Sequence, residues 1–165
     1  MARQLWLLRH ADAEPHGTRE DSQRRLTDRG REQARAAGVA LARLQAAFDS
    51  VLYSPRVRAA ETAELAAEAW SEEQRGRLEV HPPLGEGFDA QDALVALSLL
   101  PADGRLLAVG HEPDFSHVLA QLTGVQADVK KGGLAVVRLE GGSGELVALL
   151  RPRELALIAA APLGG

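Results

Sequence analysis

Short apolar runs recur along the chain and predict buried strands. Residues 5–8 are apolar without alternation, a pattern typical of a strand buried on both faces. The same reasoning predicts five further strands, at residues 51–53, 78–80, 105–110, 134–139 and 145–150. We expect the last two to form a hairpin with a four-residue loop at residues 141–144, which are rich in glycine.

Between these runs, apolar residues recur at helical spacing. Thr27 is a predicted N-cap, and the positions after it predict a helix to about residue 47. Residues 71–77 are expected to form a charged loop, and no element is assigned after Arg151. Further helices are predicted at residues 57–70, at residues 91–100 and from just after Pro113 to about residue 122.

The order of these elements predicts the fold class. Strands that alternate with helices indicate a mostly parallel sheet covered on both faces. We therefore expect an α/β protein with three layers, α/β/α, in which the closing hairpin adds at least one antiparallel strand. No repeat and no long linker divides the sequence, so residues 1–165 are expected to form a single domain.

Composition excludes several classes of protein. The chain has no cysteine, which rules out disulfides, thiol catalysis and zinc sites built from cysteine. Its formal net charge of -4 disfavours non-specific nucleic-acid binding. No apolar window approaches the length of a membrane span, and Arg9 interrupts the first apolar run too early for a signal peptide. We expect no nucleic-acid or membrane partner and a cytoplasmic location.

Unusual polar residues follow three of the predicted strands. Arg9 and His10 end the first strand, a segment from Ser54 to Arg58 follows the second, and His111 follows residues 105–110. Ligands of open α/β sheets bind beyond the carboxyl ends of the strands, so these side chains are expected to converge on one crevice. Two histidines and two arginines together favour an anion, and phosphate matches the hydrogen-bonding geometry of arginine.

Four motifs connect this pattern with a known family. The segments LLRHADAE, RRLTDRGREQA, SPRVRAAETA and GHEPDFS occur in this order. In order, spacing and chain length they resemble the histidine phosphatase superfamily, and its SixA-type phosphohistidine phosphatase branch in particular. The resemblance extends from about residue 5 to about residue 150. It implies a phosphoglycerate mutase-like fold and a phosphatase that works without a metal or a cofactor.

The resemblance also implies roles for individual residues. His10 matches the nucleophile that becomes transiently phosphorylated, and Arg9 matches the arginine that holds the phosphoryl oxygens beside it. Arg58 lies four positions after Ser54 and matches the phosphate-binding arginine of the serine-led motif, while His111 matches the second catalytic histidine.

Two further residues are assigned to substrate binding, and the motifs depart from the family in two places. Arg24 aligns with an arginine of the family, and Ser54 leads its motif. The family often has proline where Arg25 stands, and many members have glycine where this chain has Ala11.

The chemistry expected of His10 follows from its neighbours. Only a neutral imidazole has a lone pair for attack on phosphorus, and nearby guanidiniums disfavour the charged ring. A backbone carbonyl is expected to hold the other ring nitrogen.

The general acid is open at this stage. Glu86 is the best match to the family, and Asp12 and Glu14 are alternatives. An imidazole leaving group needs less help from an acid than an alkoxide does, so a phosphohistidine substrate relaxes this requirement.

Several functions compete. The segment between residues 71 and 91 is too short for a substantial lid, and an open cleft favours a phosphorylated protein as the partner. A small phosphomonoesterase acting on a sugar, nucleotide or cofactor phosphate is the alternative within the same mechanism. A non-catalytic module that binds phosphoproteins is the alternative outside enzymes. A metal-dependent hydrolase is a further hypothesis, with ligands drawn from His10, Asp12, Glu14, His16, His111, Glu112, Asp114 and His117.

Overall fold

The computed structural model describes residues 2–162 and shows a six-stranded sheet between helices. The strands are β1 (Arg3–Arg9), β2 (Ser50–Tyr53), β3 (Leu78–Val80), β4 (Arg105–Gly110), β5 (Leu134–Glu140) and β6 (Ser143–Leu150). The helices are α1 (Asp28–Arg43), α2 (Val57–Ala67), α3 (Glu72–Arg75), α4 (Ala90–Ser98), α5 (Asp114–Thr123) and α6 (Pro152–Ala160). Short 3-10 turns cover Asp21–Gln23 and Pro82–Gly85.

The sheet has the order β3-β2-β4-β1-β5-β6. The first four strands in this order are parallel, and β5 runs antiparallel to both of its neighbours, β1 and β6, which confirms the mixed sheet predicted from the sequence. The central position of β1 explains its continuous apolar run, because each of its two faces is covered.

Two apolar clusters fill the space on either side of the sheet. Leu5 and Leu7 of β1 pack on one side with residues of α4 and α5. Trp6 and Leu8 pack on the other with residues of α1, α2 and α6. Alternate side chains of one strand therefore enter opposite clusters, which confirms the three-layer α/β/α arrangement.

Helix α1 begins and ends for identifiable reasons. The side chain of Thr27 accepts a hydrogen bond from Gly30 N, so the predicted N-cap is confirmed. The helix stops at Arg43, earlier than predicted, because Gln45 adopts a positive φ of 57°. Ala46 N then donates to Leu41 O, closing a Schellman-type end that usually carries glycine and therefore had no sequence signal.

Helices α1 and α2 approach closely, and this contact supports the position of Arg58 in the first turn of α2. A Cβ added to Gly38 would lie 1.9 Å from Ala66 O, so only glycine permits the approach. Helix α2 ends at Ala67, and hydrogen bonds of the 3-10 type continue the chain to Trp70, close to the predicted end.

Two other expectations about local structure were wrong, and the segment left unassigned forms a helix. The predicted loop at residues 71–77 contains α3, whose N-cap is Ser71. The hairpin loop has two residues, Gly141 and Gly142, because Glu140 already pairs with Ser143. The unassigned tail contains α6, which starts at Pro152, a residue whose fixed φ suits the first turn of a helix.

Among residues 2–162, none of the helices combines the length and the apolar character that crossing a bilayer requires.

Candidate active site

The register of the parallel strands places the two candidate histidines side by side. Arg9 of β1 pairs with Gly110 of β4, so His10 and His111 follow at the same level of the sheet. Their ring centroids are 5.3 Å apart. Ser54 follows β2 at the same edge, and its amide donates to Val109 O over 3.0 Å. The convergence predicted for the three strand ends is therefore observed.

Buried polar residues are concentrated at this edge. Within the part of the chain that the structure describes, the buried polar or charged residues are His10, Arg24, Ser54, Arg58, Thr62 and His111. Thr62 links two of the site segments, because its hydroxyl accepts from Ala11 N at 3.1 Å and donates to Arg58 O at 2.7 Å. Burial of polar groups is costly unless they are paired, so such a concentration indicates a site rather than a packing feature.

His10 is held as a neutral imidazole. Its Nδ1 lies 2.8 Å from Ala11 O, and a carbonyl can only accept, so Nδ1 carries the proton and Nε2 keeps the lone pair. Burial is the largest cause that lowers the pKa of His10 to about 3, and the positive charges of Arg58 and Arg9 act in the same direction. The ring is therefore neutral near physiological pH, and the lone pair of Nε2 is available for attack.

His111 is the second buried imidazole of the site. Its Nε2 lies 2.7 Å from Ser54 Oγ. Burial is the largest cause that lowers the pKa of His111 to about 3, followed by the proximity of His10 and Arg58. Both rings are therefore neutral at physiological pH, and the fixed positive charge nearby comes from arginines.

Arg9 and Arg58 supply that charge from two different segments. Arg9 Nη1 donates to Val129 O at 3.1 Å. Arg58 Nη1 donates to Asp21 O at 2.8 Å, and its Nη2 donates to the Asp21 carboxylate at 3.2 Å. Burial lowers the pKa of both guanidiniums, a sign that each lies in surroundings that disfavour an unpaired charge.

Three buried polar atoms of the described chain have no hydrogen-bond partner, and all three belong to this site. They are Arg9 Nε, Arg58 Nε and His111 Nδ1. Such groups are rare in folded proteins, because each costs the free energy of its lost hydration. Two are certain N–H donors, and together they suit an anion with several oxygens, such as a phosphoryl group.

Sequence reasoning missed the carboxylate that organises three arginines. Asp21 lies in the 3-10 turn Asp21–Gln23 and forms ion pairs with Arg24, Arg56 and Arg58, a group named here the Asp21 cluster. Partial burial opposes ionisation, but Arg58 and Arg24 hold the pKa of Asp21 below its ordinary value. Nothing in the sequence separates Asp21 from the neighbouring Glu20, so only the three-dimensional contacts reveal it.

Arg24 and Ser54, both expected to bind substrate, contact other protein groups. Arg24 is buried, its Nη1 donates to Glu14 O at 2.7 Å, and its Nε donates to Asp21 Oδ1 at 3.0 Å. Ser54 is fully buried and its hydroxyl contacts His111 and the amide of Arg56. Both residues therefore engage other protein groups of the site, and their binding of substrate stays a prediction.

Glu112 is a second supporting residue whose role the sequence did not reveal. Its Oε2 accepts from Val129 N at 3.1 Å and its Oε1 accepts from Ser116 N at 2.6 Å. The carboxylate thereby fixes the segment whose carbonyl binds Arg9. The signal available in the sequence was only its position directly after His111.

The three candidate acids contact groups other than the histidine pair. The Glu86 side chain is 91% exposed, and its ion pair with Arg56 spans 3.9 Å. Asp12 Oδ2 accepts from the Thr27 hydroxyl at 2.7 Å. Glu14 accepts from Arg25 N at 2.7 Å. Among the hydrogen bonds and ion pairs of residues 2–162, none joins these carboxylates to His10 or His111.

The geometry does not assemble the ligand set of the metal-hydrolase hypothesis. The His16 side chain is 87% exposed, and Asp12 and Glu14 are engaged as described above. Over the described residues, no group of three or more His, Asp or Glu side chains is arranged to hold a metal ion. The alternating spacing in the sequence therefore does not correspond to one face of a strand, because β1 ends at Arg9.

Fold and site together define an α/β protein with an anion pocket of histidine and arginine at the carboxyl edge of a mixed sheet. Residues 5–88 match the family model of the histidine phosphatase superfamily (branch 1). The chain belongs to this superfamily. An uncharacterised protein of a Picosynechococcus strain is 30% identical over 146 residues, which cover 82% of this chain and 84% of that protein.

Solved structures of the superfamily share the fold over nearly the whole chain. The protein histidine phosphatase SixA, solved with tungstate, is 25% identical and has a TM-score of 0.80, with 92% of this chain and 99% of that chain covered. The alpha-ribazole phosphatase of Shigella flexneri is 21% identical with a TM-score of 0.70, and the coverage is 90% and 96%. These findings confirm the phosphoglycerate mutase-like fold expected from the motifs and support phosphatase activity.

Proposed function

We propose that this protein is a phosphohistidine phosphatase that transfers the phosphoryl group of a phosphorylated protein to His10 and then to water. The observation that carries this proposal is the set of three buried, unpartnered polar atoms beside a neutral histidine. The similarity to SixA supports the same substrate class. The proposal requires neither a metal nor a cofactor.

In the first step, His10 Nε2 attacks phosphorus in line and the bond from phosphorus to the leaving group breaks. Positive charge develops on the imidazole ring, and the hydrogen bond from Nδ1 to Ala11 O stabilises it. Arg9 and Arg58 donate to the equatorial oxygens, where negative charge is concentrated. His111 completes the pocket on the side of β4.

In the second step, water attacks the phosphorus of phosphorylated His10. Oxygen from water forms the new bond, a water proton passes to solvent, and the bond between phosphorus and Nε2 breaks. Inorganic phosphate leaves and the neutral imidazole is restored. Both steps use the same donors, so positioning and charge stabilisation account for catalysis.

The position of the carboxylates supports the proposed substrate class. An alkoxide leaving group needs a proton from a nearby acid, whereas an imidazole leaves with less help. The exposure of Glu86 and the engagement of Asp12 and Glu14 therefore favour cleavage of a P–N bond. The short segments between α2 and α4 leave the cleft open to a side chain of another protein.

A small phosphomonoesterase is the second candidate. Glu86 lies at the mouth of the site, 3.9 Å from Arg56, and is the carboxylate best placed to protonate an ester oxygen there. In that case Glu86→Gln lowers kcat on a phosphate monoester. Full activity of Glu86→Gln on such an ester removes Glu86 from this role.

The test compares wild type with His10→Ala on two substrate classes without added metal. We expect wild type to show a higher kcat/KM on a phosphohistidine-bearing protein than on a panel of phosphate monoesters, and His10→Ala to be inactive. Radiolabelled phosphate should be trapped on wild type and not on the variant. A strong preference for a monoester contradicts the proposed substrate.

Two further outcomes separate the other hypotheses. Absence of turnover with tight binding of the phosphoprotein points to a binding module. Loss of activity after exhaustive chelation points to a metal-dependent hydrolase.

A further inference from the structure

The hydroxyl of Ser54 connects the backbone of β2 to the second histidine. Ser54 follows the strand directly and is fully buried. Its Oγ accepts a hydrogen bond from Arg56 N at 3.1 Å and lies 2.7 Å from His111 Nε2. The hydroxyl therefore has one partner whose role is fixed, the amide, and one whose role depends on where His111 carries its proton.

The hydrogen-bonding capacity of Ser54 distinguishes the two tautomers. A hydroxyl donates one hydrogen and accepts through two lone pairs. With Arg56 N as donor, the hydroxyl hydrogen needs an acceptor, and His111 Nε2 is the one within reach among the described contacts. If Nε2 carried the proton instead, the Ser54 hydrogen would be buried without a partner, and that arrangement is costly.

The remaining nitrogen of His111 favours the same tautomer once an anion is bound, as the proposed function requires. Nδ1 is buried and has no protein partner. In one tautomer it presents an N–H, and in the other it presents a lone pair beside the anion pocket formed with Arg9 and Arg58. An anion is attracted by the first and repelled by the second.

We propose that Ser54 is a positioning residue that donates its hydroxyl hydrogen to His111 Nε2, fixing the proton on Nδ1 as a hydrogen-bond donor for the bound anion. The tautomer follows from the resting contacts, whereas the role of the donor during phosphoryl transfer rests on the proposed function. Because the pKa of His111 is lowered to about 3, the ring is neutral and the choice of tautomer decides which nitrogen donates.

The two histidines are then neutral rings of the same tautomer, protonated on Nδ1, and the protein engages opposite nitrogens of the two rings. At His10, the Ala11 carbonyl binds Nδ1–H and leaves the Nε2 lone pair for attack. At His111, the Ser54 hydroxyl binds the Nε2 lone pair and leaves Nδ1–H for donation. The acceptor beside Nδ1 of His10 leaves a nucleophilic nitrogen free, and the hydroxyl beside Nε2 of His111 leaves a donor free. These two contacts are sufficient to give the rings different roles.

The tautomer is measured directly by NMR. In protein labelled with 15N-histidine, two-bond proton–nitrogen correlations distinguish a protonated from an unprotonated ring nitrogen, and His111→Asn identifies the signals by their loss. We expect protonated Nδ1 and unprotonated Nε2 in wild type. In Ser54→Ala the Nε2 signal should move towards the protonated range. Protonated Nε2 in wild type overturns the proposal, and the wild-type spectrum decides even if Ser54→Ala fails to fold.

The donor role is tested by two substitutions of His111 that place an amide N–H differently. The amide of asparagine lies near the position of Nδ1, and that of glutamine near Nε2. We expect His111→Gln to lose about 10²–10³-fold in kcat, the usual cost of removing a transition-state donor, and His111→Asn to retain more activity. Equal losses overturn the donor role.

Failure of the inference can be distinguished from failure of the proposed function, because the tautomer and the kinetic effect of Ser54 are measured separately. Ser54→Ala should lower kcat about tenfold with little change in KM, less than the loss of the donor itself. If wild type turns over no phosphorylated substrate, the proposed function fails, and the NMR experiment still decides the tautomer.

Discussion

The two arginines that flank the histidine pair are held in different ways. On one side, the Asp21 cluster surrounds Arg58 with a carboxylate and two further guanidiniums. On the other side, a single backbone carbonyl, Val129 O, binds Arg9, and Glu112 fixes that carbonyl from behind. The first arrangement depends on the balance of charge, and the second depends on the direction of a neutral hydrogen bond.

This difference separates two requirements of an anion pocket. Three clustered guanidiniums repel one another, so Asp21 both orients Arg58 and offsets the repulsion. Among residues 2–162, Arg9 forms no ion pair, and the nearby charges of Glu112 and Asp128 raise its pKa against the larger effect of burial. The pocket therefore gains positive potential on the side of Arg9 without a carboxylate that competes with the substrate for that guanidinium.

The largest effects are expected when either arginine itself is removed. Arg58→Ala and Arg9→Ala should each lower kcat by about 10²–10³-fold, because each removes a donor to the transferring group. Arg35→Ala, which breaks the exposed pair with Glu68 at 3.2 Å, serves as the control and should leave kcat unchanged. A loss below tenfold for either site variant, measured in steady-state assays, contradicts the assignment of that arginine.

Removing the supporting carboxylates should have smaller and unequal effects. Asp21→Asn leaves three arginines without their counter-charge and should lower kcat about tenfold. Glu112→Gln keeps an oxygen that accepts one of the two amide hydrogens and should lower kcat about threefold. Steady-state kinetics of the two variants, measured under the same conditions, test this ranking. A larger loss of kcat for Glu112→Gln than for Asp21→Asn contradicts it.

A prediction of a different kind concerns stability against pH. His10 and His111 bind a proton below about 6.5 in the unfolded chain but only below about 3 in the folded protein, so the unfolded state binds more protons between these values. Each histidine should therefore lower the free energy of unfolding by about 1.4 kcal/mol per pH unit as the pH falls through this window.

Urea unfolding at a series of pH values measures this contribution. The slope of the free energy of unfolding against pH should be shallower for His111→Asn than for wild type, by the contribution of one histidine. The difference should vanish above about pH 7.5, where both rings are neutral in both states. Parallel slopes at acidic pH contradict the lowered pKa of His111.

Much of the site could be predicted because it depends on strand ends. The apolar runs located β1, β2 and β4, and the carboxyl ends of neighbouring parallel strands meet at one edge. That geometry brings His10, His111 and the segment after Ser54 together without any knowledge of the loops. The substrate and the roles of these residues stay predictions that the experiments above address.

The supports of the site could not be predicted for a physical reason. Asp21 and Glu112 act through contacts with distant segments, Arg58 being 37 positions from Asp21 and Val129 being 17 from Glu112. No periodicity marks such contacts. For Glu86 the opposite happened. The motifs suggested that it is the general acid, but its side chain is exposed. The early end of α1 at Gln45 had no sequence signal either.

In the proposed mechanism, the hydrogen bond from His10 to the Ala11 carbonyl decides the regiochemistry of the covalent adduct. Because Nδ1 is engaged, we expect phosphorus to bond to Nε2 and the adduct to be τ-phosphohistidine rather than the π isomer. The adduct should therefore react with reagents specific for the τ isomer and should be hydrolysed in acid, as phosphoramidates are. The contact with one peptide oxygen therefore predicts which phosphohistidine isomer such reagents should detect.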